Sequence, residues 1–154
     1  MYLQLQKRKH WIISLIIPLL LASCAGVMLI GAYDQVVDQN IQKIQNDVST
    51  LLVKAEKNII DRKIEDNKYE NFRDAYSTIE GEIESLKIRC RSLTKYGIIT
   101  QQVDLLEANV RNLEAFHKIG LTDTAQTGQL KRTMEFSFQK MIELQNGLKR
   151  EKNQ

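Results

Sequence analysis

YENFRDAYSTIEGEIESLKIRCRSL, residues 69–93, is the stretch that decides the fold. Tyr69, Phe72, Tyr76, Ile79, Ile83, Leu86, Cys90 and Leu93 recur at spacings of three and four. That is the period of one helix face, and the period of two expected of a strand is missing. The spacing predicts a helix with a single buried seam. Cys90 falls in the seam, where a thiol packs as a small apolar residue rather than reacting. Gly81 lies off it, at a cost of about 1 kcal/mol in helix stability. Lys95 and Gly97 read as the helix end, with Gly97 as the left-handed cap.

Similar stripes lie on either side. Upstream, Val37, Ile41, Ile44, Val48, Leu51 and Ala55 alternate steps of four and three, shift to Ile59 and Ile60, and fade at Asp66 and Asn67. Asp34 suits the cap of this helix, and Asp38 lies close enough to favour its dipole. Downstream, Thr100 is placed to cap a stretch carrying Val103, Leu106, Val110 and Leu113, which ends at Gly120. Asp123 and Gln126 then resemble a capping box before Leu130, Met134, Phe138, Met141 and Leu148. Short connections make successive helices antiparallel. The expected fold is all-α: an export signal or membrane anchor, then an antiparallel bundle of three to four long amphipathic helices.

Composition agrees. A chain of 154 residues has room for one domain, and one proline with seven glycines leaves few breaks in long helices. The net charge of +3 is carried entirely by Lys7, Arg8 and Lys9, the only charged residues before Asp34. Without those three, 19 of the 22 basic residues remain against 19 acidic ones. A neutral body lacks the one-sided basic surface that nucleic acid requires, so no nucleic-acid partner is expected. Lys149, Arg150 and Lys152, interrupted by Glu151, read as a solvated helix end.

The N-terminus carries a basic region followed by an apolar segment from Trp11 to Tyr33. Two readings stand side by side. Residues 11–33 are long enough for a transmembrane signal anchor with its basic flank in the cytoplasm. Alternatively, Trp11 to Leu20 is the apolar core of an export signal, residues 1–23 are removed, and residues 24–33 form an apolar tether. Both put residues 34–150, the helical body, outside the cytoplasm, with residues 151–154 as a polar tail.

Leu21-Ala22-Ser23-Cys24 resembles the lipobox of bacterial lipoproteins, in which the cysteine carries the lipid. The stretch LIGAYDQVVDQNIQKIQNDV, residues 29–48, with Tyr33, Asp34 and Asp38, resembles the start of small bacterial envelope proteins, often lipoproteins, that continue as amphipathic helices. The resemblance implies lipid attachment at Cys24 and a cell-envelope location, with the body in the periplasm. It implies the outer membrane if Cys24 is acylated, since Ala25 and not Asp follows it. The signal anchor would hold the body at the inner membrane. Acylation would also explain a cysteine pair, Cys24 and Cys90, too unlike in surroundings to bond.

Catalytic equipment is sparse. Glu114-x-x-His117 has the spacing of di-iron ligands on one helix face, but that site needs the pair on two helices. The only other histidine is His10, in the basic region, so His117 reads as an interfacial histidine and no metal or cofactor is expected. A serine triad would have to draw on His117 alone, with no nucleophile elbow. Glu80, Glu82 and Glu84 lie off the stripe as a solvated face, and Tyr69, Phe72 and Tyr76 read as core. The expectation is a non-enzymatic envelope protein held at the membrane by its N-terminus, whose helix faces bind a protein partner or a second copy. The alternative is a single-pass, signal-anchored sensor or adaptor that binds a small ligand or partner subunit. The sequence names no small molecule.

Overall fold

The computed structural model describes residues 30–152. These are all-helical, with four long helices and no strand among the described residues. They are α1 (Gln35–Ile60), α2 (Arg73–Ser92), α3 (Gly97–Ile119) and α4 (Thr124–Lys152). Two single 3-10 turns, Glu65–Asn67 and Tyr69–Asn71, lie between α1 and α2. None of the described helices is long and apolar enough to cross a membrane. The expected signal or anchor, with Leu21, Ala22, Ser23 and Cys24, lies outside the described residues.

Each helix packs on two others, α1 and α3 both lying between α2 and α4. Contacts between early and late residues of neighbouring helices make the neighbours antiparallel. Arg89, near the end of α2, reaches Asp34 at the start of α1 at 2.6 Å. Tyr76 meets His117 across α2 and α3 at 3.1 Å. Glu56, late in α1, pairs with Lys131, early in α4, at 3.5 Å. Between them sits one core that includes Ile41, Ile44, Ile83, Leu86, Ile99, Leu106, Leu113 and Met141. Burial of these stripes, more than intrinsic propensity, holds the helices in place.

Local chemistry sets the helix ends. Asp34 Oδ1 accepts the Val37 amide at 2.9 Å and caps α1. Gly120, at φ 123°, terminates α3 in a conformation that glycine tolerates without steric cost. Three expectations need correction. α2 begins at Arg73 and not at Tyr69, because Tyr69–Asn71 closes into a 3-10 turn first. Gly97 is not a left-handed cap: Lys95 takes the positive φ of 63°, and Gly97 opens α3. Thr100 does not cap α3, since its hydroxyl donates to the Tyr96 carbonyl from inside the first turn.

Residues 30–33, expected within a tether, are fastened to the α2–α3 turn. The Gly31 amide donates to Lys95 O at 2.9 Å, and the Tyr96 hydroxyl donates to Ala32 O at 2.6 Å. A Cβ on Gly31 would overlap the Tyr96 ring and lie 2.6 Å from Thr94 O, so only glycine fits this approach. At the other end α4 runs on to Lys152, so the expected polar tail of 151–154 starts as helix.

Some buried helix positions are polar, among them His117, Thr127 and Gln145. Gln145 is buried in α4, and neither Nε2 nor Oε1 has a hydrogen-bond partner. A buried amide without partners costs about 1–3 kcal/mol. Gln145→Leu is therefore expected to raise stability by about 1–2 kcal/mol, read as a higher urea midpoint at unchanged slope. A lower midpoint would mean that the amide is satisfied in solution.

Candidate functional site

The residues singled out by the sequence are brought together in two places. Around Tyr33, Asp34 and Asp38, the Tyr33 hydroxyl donates to Asp38 Oδ2 at 2.8 Å, and Gln42 Nε2 donates to Asp38 Oδ1 at 2.9 Å. Lys149 and Lys152 of α4 lie 5.7 and 5.5 Å from the Tyr33 ring centroid. Partial burial would raise the Asp34 pKa, but Arg89 and the Val37 amide outweigh it and hold the carboxyl below its usual range. The motif thus latches the start of α1 to the ends of α2 and α4. Each of the three side chains has a hydrogen-bond partner there.

Glu114 and His117 do not converge on one point. Glu114 accepts from the Tyr69 hydroxyl at 2.6 Å and pairs with Lys118 at 2.8 Å. Lys118 and then Tyr69 hold its pKa down. His117 is buried, with Nε2 2.9 Å from Asn67 O. A carbonyl can only accept, so Nε2 carries the proton and Nδ1 accepts from Tyr76. Phe72 packs on the imidazole at a centroid distance of 4.6 Å. No group of side chains suited to a metal occurs among the described residues.

Burial pushes the His117 pKa below its ordinary 6.5, against an opposing pull from Asn67. The sign follows from linkage. Below about pH 6.5 the unfolded chain takes up a proton that the folded chain refuses, so stability falls as pH drops. The melting temperature is expected to decline from pH 7 to pH 5, and His117→Phe should flatten that decline. An unchanged slope in the variant would assign it to other groups. Glu114 and Asp34, also depressed, contribute losses only in the lower carboxylate range.

The acidic face is partly used. Glu80 and Glu84 are exposed, whereas Glu82 is half-buried and pairs with Lys43 of α1. Lys87 similarly bridges to Asp104, at 2.9 Å, and to Glu107 of α3. The α1–α2 and α2–α3 seams are therefore bordered by ion pairs.

The α3–α4 seam is different. A groove there is lined by Gln102, Leu105 and Asn109 of α3 and by Arg132, Phe136 and Lys140 of α4. It continues toward Phe116 and Gln126. Leu105 is 65% exposed, Phe136 63% and Phe116 55%. No acidic side chain lines either part. Across it runs a hydrogen bond of 2.9 Å from Asn109 to Ser137. Apolar ridges, neutral polar flanks and few charges are what the centre of a protein interface needs. Sequence reasoning missed these residues because it followed the buried stripes. The available signal was Leu105, Phe116 and Phe136 themselves, large apolar residues left off the stripes of amphipathic helices. No known protein family, curated protein or solved structure matches this chain, so its assignment rests on its own residues and geometry.

Proposed function

We propose that this protein is a non-catalytic membrane-anchored envelope protein, a lipoprotein acylated at Cys24, that presents its antiparallel bundle to a protein partner. The exposed apolar groove between α3 and α4 carries this reading. The lipobox-like Leu21-Ala22-Ser23-Cys24 behind a basic region supports the anchor. More than one acyl chain is needed for stable anchoring, and a lipoprotein supplies them. Docking of residues 30–33 on the α2–α3 turn leaves little free chain between anchor and body, so the groove would be held in a set orientation to the membrane.

A small-ligand sensor is the second reading. The cleft at the far end of the bundle, lined by Asn67, Tyr69, His117 and Lys118, favours it, because Asn67 Oδ1 is buried there without a partner.

Both parts of the main proposal are testable on membranes of the native host. Intact-mass analysis should find the chain cut before Cys24 and carrying acyl mass. A Met1-containing species without lipid would establish the signal anchor instead. Mild extraction after cross-linking should yield a complex larger than the monomer. A monomer alone would count against the interaction role.

A further inference from the structure

We infer that the occupant of the α3–α4 groove is an amphipathic helix of another protein that carries acidic residues beside its apolar stripe. This rests on the groove being an interaction surface. Its length sets the first constraint. From Gln102 to Phe116 the groove follows α3 for about 20 Å at 1.5 Å per residue, room for about four turns of a docked helix. Leu105, Phe116 and Phe136 stand along it as ridges, the arrangement that receives residues repeating at three and four.

Charge sets the second. Arg132 and Lys140 are the only charged side chains lining the groove, and both are cationic. Lys140 is paired with Glu143 on its own helix, 2.8 Å away, whereas Arg132 has no ion-pair partner among the described residues. Lys43 at the α1–α2 seam is matched by Asp47 and Glu82, whereas Arg132 is not matched. An exposed guanidinium beside a neutral apolar groove therefore selects a carboxylate on whatever fills it.

The same charges disfavour a second copy of this chain. In a two-fold contact both copies present the same surface, so Arg132 and Lys140 would find no carboxylate among the residues lining the groove.

The test uses the full-length protein in its native membranes, with a photo-cross-linking residue in place of Phe136. Sequencing of the attached peptide should find a segment of another protein with apolar residues at helical spacing and Asp or Glu beside them. Arg132→Glu should cut the cross-link yield about tenfold and Arg132→Gln by less, with both variants melting as the parent does. A peptide from this same chain, a lipid adduct, a segment without carboxylates, or a yield indifferent to Arg132→Glu would overturn the inference. These four outcomes differ from complete absence of cross-links, which would remove the interaction surface itself.

Discussion

Cys90→Asp is expected to abolish cooperative folding, whereas Cys90→Ala should cost only about 1 kcal/mol. Cys90 is fully buried in the α2 seam. Alanine removes little volume there, while aspartate must either bury an unpaired charge or take up a proton to stay. That penalty, about 3 kcal/mol or more, is a large fraction of a small domain's stability. Burial also pushes the Cys90 pKa up to about 11, so the reactive thiolate is scarce at neutral pH. Native protein should therefore resist thiol reagents and label only after denaturation. Rapid native labelling would mean that the α2 seam faces solvent or a missing subunit. An oligomeric coiled coil would then replace the monomeric bundle.

The other large effect concerns binding. Leu105→Glu combined with Phe136→Glu should eliminate the cross-linked complex while leaving the melting temperature within a few degrees. Both side chains are mostly exposed, so their replacement removes little from the core, and surface changes of this kind stay within about 0.5 kcal/mol each. At an interface the same changes put two carboxylates where apolar contact and dehydration are needed, which costs far more. Circular dichroism and complex yield, measured on the same preparations, separate the two. A complex that survives the double substitution would place the interface elsewhere on the bundle.

The helical class was legible because one physical quantity, burial, imposes its period directly on the chain. Ile79, Ile83, Leu86 and Cys90 are all buried, as their spacing requires. The same holds for Val103, Leu106, Val110 and Leu113 on α3. His117 was also legible as a satisfied buried histidine, since a lone Glu-x-x-His cannot assemble a metal site.

Features that depend on contacts distant in sequence were not legible. Gly31 is tied to Lys95 and Tyr96 by contacts that no local pattern encodes, so residues 30–33 read as a tether. Lys95 takes a left-handed turn that glycine nearby would satisfy more cheaply, because the chain reverses before Gly97 is reached. Gln145 occupies a seam position with a polar side chain, which the apolar pattern skips. The groove went unseen because Leu105 and Phe136 break no helical rule. They become informative only once the buried faces of α3 and α4 are known.

The central claim is that one face of the bundle, and only that face, meets another protein. It is tested most directly by moving a photo-cross-linking residue around the girth of the full-length protein in native membranes. Leu105 and Phe116 would report on the groove, and Val53 on α1 and Ile88 on α2, both at least half exposed, on the remaining surface. The account predicts adducts with one and the same protein at the two groove positions and none at Val53 or Ile88. Protein adducts at Val53 or Ile88, or none at Leu105 and Phe116, would contradict it.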